Sequence, residues 1–141
     1  MKAHDAQMWL KKKVLRKNEL FQDFDDITLE NLIRHARTKL LSAGDVLYKS
    51  GEASNDTFCA IVFGSLKVVI PGGQVVKVSK SGQVMGEVAV AMLQKKRSAD
   101  VIATEPTSIL EWTYSDIKVK IPSLERKFEK LALKHLRSNR Q

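Results

Sequence analysis

Apolar residues recur at helical spacing over roughly the first forty positions, and from residue 46 onward the pattern changes to short apolar runs cut by turn residues. Residues 5–17 set Met8, Trp9, Leu10, Val14 and Leu15 among Lys11, Lys12, Lys13, Arg16 and Lys17, which predicts an amphipathic helix with one stripe packed against something. A connector rich in Asp follows from Asn18 to Asp26, pinned by Phe21 and Phe24. Thr28 is the expected N-cap of a second helix, in which Leu29, Leu32, Ile33 and Ala36 recur at i, i+3, i+4 and i+7. His35 on that helix reads as a surface or hydrogen-bonded side chain.

Ser42-Ala43-Gly44-Asp45 breaks the helical period. The strands expected after it are 46–48, 57–63, 66–70, 74–78, 84–85, 99–104 and 109–113. Between them lie Ser50-Gly51, Ser54-Asn55-Asp56, Gly64-Ser65, Pro71-Gly72-Gly73, Ser79 to Gly82 and Glu105-Pro106, each able to reverse the chain. Many short strands at regular spacing predict a closed or sandwich-like antiparallel architecture, a β-roll. Ser115 is positioned to cap a short helix over 116–121, and Pro122-Ser123 to start another running to about 138. Its apolar stripe is Leu124, Phe128, Leu131, Ala132, His135 and Leu136.

The stretch that carries chemistry is Gly82-Gln83-Val84-Met85-Gly86-Glu87-Val88-Ala89-Val90-Ala91, with Arg97-Ser98-Ala99 beginning ten residues after the glutamate. Gly86 permits a sharp turn because it has no Cβ. The backbone N–H groups that open the following helix lack partners and favour a phosphate. Arg97 offers a planar fork for two phosphate oxygens from the other side. A carboxylate beside a phosphate would be repelled, so Glu87 is expected to face a sugar hydroxyl.

Gly86-Glu87-Val88-Ala89-Val90 followed by Arg97-Ser98-Ala99 resembles the phosphate-binding cassette of cyclic nucleotide-binding domains. The resemblance extends over about residues 18–138, through Leu20-Phe21, Ala43-Gly44-Asp45-Val46-Leu47, Gly51-Glu52 and Phe63-Gly64-Ser65-Leu66-Lys67-Val68. It implies a mainly β fold with flanking helices, α+β: an antiparallel eight-stranded β-roll, or double-stranded jelly roll, with N-terminal helices and two C-terminal helices. The implied domains are an amphipathic helix over 1–18 and a cyclic nucleotide-binding domain over 19–141, its roll at about 40–113 and its lid helices at about 115–138. The implied ligand contacts are Gly86, Glu87, Val88, Ala89, Arg97, Ser98 and Ala99, with Glu87 on the ribose 2′-OH and Arg97 and nearby amides on the phosphate. Family members cover the base with the last helix, which makes Lys134, His135 and Arg137 the candidates here, alongside Lys130. The expected ligand is cAMP ahead of cGMP. Met85 stands where the family usually has phenylalanine, a change of packing rather than of a ligand contact.

At 141 residues, with 43% apolar and 28% charged residues, the chain has the balance of one folded soluble domain. Its longest apolar run, Val88 to Leu93, is far short of the roughly 20 residues that span a bilayer. No secretory signal pattern opens it, so a cytoplasmic location is expected. Cys59 is the only cysteine, which leaves no intrachain disulfide and no zinc cluster. His4, His35 and His135 all fall in flanking helices, not inside the roll, so a metal-dependent jelly-roll enzyme is disfavoured and no catalytic residue or metal ligand is assigned. The net charge of +8 sits at the two ends: residues 1–20 carry six Lys/Arg against two Asp/Glu and residues 116–141 eight against three, whereas the body is near neutral. The alternative reading is therefore a basic protein binding nucleic acid or a membrane surface on the same fold, with nucleic acid the weaker expectation as a partner. After the roll about 28 residues remain, too few for a winged helix-turn-helix. The expected role is thus a sensor, a homodimer or part of a larger effector chain, that signals through its C-terminal helix.

Overall fold

The structure is a computed structural model and describes residues 2–138; Met1 and residues 139–141 of the two expected segments lie outside the described residues. Thirteen elements follow in the order α1 (Ala3–Leu15), α2 (Asp26–Arg34), β1 (Arg37–Leu41), β2 (Val46–Tyr48), β3 (Thr57–Phe63), β4 (Ser65–Val69), β5 (Val75–Lys80), β6 (Val84–Met85), α3 (Glu87–Ala91), β7 (Asp100–Ala103), β8 (Thr107–Thr113), α4 (Tyr114–Lys120) and α5 (Leu124–Ser138). The strands form two antiparallel four-stranded sheets, ordered β1-β8-β3-β6 and β2-β7-β4-β5. This is the eight-stranded roll with flanking helices that the turn spacing and the family resemblance imply.

Side-chain alternation along β3 divides the core in two. Phe58, Ala60 and Val62 face a cluster that takes in Leu15, Leu20, Phe21, Leu29, Leu32, Trp112, Phe128 and Leu131, joining helices to the outer face of one sheet. Cys59 and Ile61 face the roll interior with Tyr48, Leu66, Met85, Val101, Ala103 and Ile109. A period of two thus buries both faces of one strand, as a sheet sandwiched between helices and a second sheet requires. Phe58 stacks on Trp112 with ring centroids 5.3 Å apart and meets Phe128 edge-on at 4.7 Å. These contacts tie α5 to the strand that begins beneath the cassette.

Four local assignments differ from the sequence pattern, one of them the cap of α4, which is Thr113 with Ser115 already inside the helix. Arg37–Leu41 is a strand paired along β8, although no strand was expected before residue 46. It lies at a sheet edge with Leu40 75% exposed, so it shows no apolar alternation and is held by its ladder. The cap of α2 is Asp25, not Thr28: the Asp25 carboxylate accepts the Thr28 backbone N–H at 2.8 Å, which puts Thr28 at the third helical position. In α1 only Val14 and Leu15 are buried, while Trp9 and Leu10 are exposed. No helix among the described residues is long and apolar enough to cross a membrane.

Candidate functional site

Gly86 sits between β6 and α3 at φ +86°, in the left-handed region. A Cβ built there would lie 3.0 Å from Arg97 Nη1 and 3.1 Å from the Thr57 carbonyl oxygen. Glycine is therefore required twice, for the turn and for the close approach of the guanidinium. Arg97 is placed by its own loop: its backbone N–H donates to the Glu52 carbonyl at 2.8 Å and its carbonyl accepts from Gly51 at 2.9 Å. Ser54 Oγ adds a bond to the Gln94 carbonyl at 2.6 Å. The segment 94–97 is thereby stitched to 51–54.

The guanidinium lies inward, with Arg97 7% exposed. Its Nη2 donates to the carbonyls of Ser54 and Thr57 and to Thr57 Oγ1, each at 2.8 Å. Nε is buried and has no hydrogen-bond partner among the described residues, and no carboxylate among them pairs with Arg97. The guanidinium carbon lies 3.9 Å from the centre of the Tyr48 ring. A buried cation without an anion is costly.

Glu87 opens α3 and is itself 3% exposed. The His135 ring donates from Nδ1 to Glu87 Oε1, while Glu87 Oε2 is buried and unpartnered among the described residues. A carboxylate oxygen that can accept and a fork that can donate thus stand in one cavity. That cavity is about 540 Å³, within the range of small-molecule sites, and is walled by Tyr48, Val68, Ile70, Val76, Lys77, Met85 and Val101. Gly86, Glu87, Val88, Ala89, Arg97, Ser98 and Ala99 all line it. The elements that bring them together are β6, the short helix α3 and the loop leading to β7.

None of the four residues considered as base covers lines the cavity itself. His135 is on Glu87 at its edge, and Lys130, Lys134 and Arg137 line a separate groove with Glu19, where Lys134 Nζ is 3.3 Å from Glu19 Oε1. Ser138 is the α5 residue that reaches the cavity wall. Two residues with no local sequence signal stand behind the site. Tyr48 donates its hydroxyl to Glu111 Oε2 at 3.1 Å, and Glu111 Oε1 receives Arg37 at 3.1 Å and Lys39 at 3.0 Å. Burial on its own would raise the Glu111 carboxyl, but bonds from Lys39 and Arg37 outweigh it and hold the group below the usual carboxylate range. Burial pushes the Tyr48 hydroxyl well above its ordinary value and the Cys59 thiol up to about 12. No cluster of three or more His, Cys, Asp or Glu residues is placed to hold a metal among the described residues.

The family model described as the cyclic nucleotide-binding domain matches residues 38–121, more than half of the chain. The chain belongs to the cyclic nucleotide-binding domain family. A cyclic nucleotide-binding domain from Methylobacillus flagellatus is similar in structure, with TM-score 0.76 and 21% identity over 96% of this chain and 80% of that one. The regulatory domain of Toxoplasma gondii PKA, crystallised with cAMP, gives TM-score 0.76 and 21% identity over 94% of this chain and 52% of that one. The sensor domain of the transcriptional regulator DNR from Pseudomonas aeruginosa gives TM-score 0.72 and 19% identity over 95% of this chain and 90% of that one. No curated protein sequence matches the chain.

Proposed function

We propose that this domain is a regulatory module that binds a cyclic nucleotide, cAMP ahead of cGMP, and that it senses rather than catalyses. The observation that carries the reading is Arg97: a cation 7% exposed, with neither a carboxylate nor a partner for its buried Nε among the described residues, beside a lined cavity. A ring-closed phosphodiester supplies the missing anion, with the two N–H groups of Arg97 Nη1 as donors. Glu87 Oε2 then accepts the ribose 2′-OH, and Ala89 and Ser98 offer backbone N–H groups to the phosphate. cAMP is placed first because the Toxoplasma gondii domain of similar structure holds it.

Signalling in this reading runs through α5. His135 joins α5 to Glu87, and Phe128 joins it to Phe58, next to the Thr57 carbonyl that Arg97 holds. A ribose hydroxyl arriving at Glu87 changes what His135 contacts, so ligand and helix position are energetically linked. Calorimetric titration of the full chain with cAMP and with cGMP tests the function. One-to-one binding with cAMP the tighter ligand is expected; no heat with either, together with no rise in melting temperature, would overturn it.

A further inference from the structure

The structure points to a residue that sets the anion site without being one of its donors. We propose that Tyr48, tethered by Glu111, is a positioning residue for Arg97: its ring face holds the guanidinium in place while taking none of its N–H donors. The inference rests on the cyclic nucleotide reading above and deepens it.

A guanidinium taken out of water needs compensation, and there are two ways to supply it. A carboxylate would neutralise the charge and occupy the fork that a phosphate needs, so ligand and protein would compete for the same N–H groups. An aromatic face attracts the cation through its quadrupole and takes no donor. Here the second way is used: the Arg97 guanidinium carbon lies 3.9 Å from the Tyr48 ring centre, while Nη2 alone is committed to the Ser54 and Thr57 oxygens.

The ring can act as a platform only if it is fixed, and its fixing crosses the roll. Tyr48 belongs to one sheet, and its hydroxyl donates to Glu111 of the other at 3.1 Å. Glu111, 3% exposed, is in turn gripped by Arg37 and Lys39 from the edge strand β1. Burial keeps the Tyr48 hydroxyl protonated, hence a donor. The negative charge under the ring is thus balanced by two cations of its own and does not draw Arg97 away from the cavity.

The test uses Tyr48→Leu and Tyr48→Phe in the full chain. In the unliganded protein, the side-chain resonances of selectively labelled Arg97 are expected to carry a ring-current shift that Tyr48→Leu abolishes and Tyr48→Phe retains. In calorimetry, Tyr48→Leu is expected to weaken cAMP binding roughly tenfold or more, and Tyr48→Phe, which keeps the ring and drops the tether, to fall between it and the parent. The Sp and Rp cyclic phosphorothioates differ only in which phosphate oxygen is sulfur. Their affinity ratio is expected to move toward one in Tyr48→Leu, whereas a merely loosened fold would weaken both by one factor. Equal binding by all three proteins, an unchanged phosphorothioate ratio, or an Arg97 resonance indifferent to Tyr48→Leu would overturn the proposal. A parent protein that binds no cyclic nucleotide yet loses the Arg97 ring-current shift in Tyr48→Leu would overturn the functional reading and leave the placement of the cation standing.

Discussion

Replacing Arg97 by alanine separates the cost of holding a buried cation from its use. Of the donors on this side chain, Nη2 is spent on Ser54 and Thr57, while Nε has no partner and Nη1 faces Gly86. Nη1 carries two N–H groups, so two charge-assisted hydrogen bonds to a phosphate are available, at about 1.5–3 kcal/mol each. Their loss amounts to about 3–6 kcal/mol, more than a hundredfold in affinity. The fold has less at stake. The substitution takes a donor from the Thr57 carbonyl at roughly 1–3 kcal/mol, leaves the Ser54 carbonyl its bonds from Thr57 and removes a buried charge, and the loss and the gain oppose each other. Arg97→Ala is therefore expected to melt cooperatively within several degrees of the parent. Arg97→Lys keeps the charge but not the fork, and should recover only part of the binding. Calorimetry with cAMP on both variants, after a circular dichroism melt, is the assay. A folded Arg97→Ala protein that binds within a few-fold of the parent would refute the assignment of the phosphate to this guanidinium.

If Glu87 Oε2 accepts the ribose hydroxyl, 2′-deoxy-cAMP should bind the parent about tenfold or more weakly than cAMP, and Glu87→Gln should shrink that gap; equal affinities in the parent would remove the role. His135→Ala cuts the link between α5 and Glu87, so amide exchange in the last two turns of α5 should speed up by mass spectrometry, and unchanged protection would show that Phe128 and its neighbours hold the helix alone. Glu111 titrates below the ordinary carboxylate value because of Lys39 and Arg37, so its contribution is present above the unfolded pKa of about 4 and is lost as pH falls through the lower folded value. The melting temperature of the parent should accordingly fall more steeply than that of Glu111→Gln as pH is lowered from about 5 to 3, and parallel curves would contradict the link. Buried Cys59, its thiol pushed up to about 12, should react with a disulfide reagent only on unfolding, and rapid native labelling would contradict its place in the roll interior.

What was legible in the chain is what is local. Gly86, Glu87 and Arg97 are readable together because a turn, an acid and a cation at short spacing describe a site before any fold is known, and the structure brings all seven expected cassette residues to one cavity. The strands were legible where both faces are buried, as in β3, and not where pairing alone decides, as in β1, whose Arg37 and Lys39 clasp Glu111. Tyr48 and Glu111 are 63 positions apart and meet only because the two sheets close on each other; no periodicity carries that information. The contact of His135 with Glu87 was not readable, because its place on α5 was legible while the tilt of the helix over the cassette was not. Thr28 misled as a cap because Asp25, three residues earlier, already caps the helix by accepting the Thr28 N–H, so that Thr28 lies inside its first turn.

The central claim is that Arg97 lies buried with no anion among the described residues because a cyclic phosphate is the anion it awaits. A crystal structure of the chain grown with cAMP tests this most directly. The account expects the phosphate on Arg97 Nη1 and the ribose 2′-OH on Glu87 Oε2, with the Ser54 and Thr57 contacts kept. An empty cavity at saturating cAMP, or a bound nucleotide with Arg97 turned out into solvent, would contradict it.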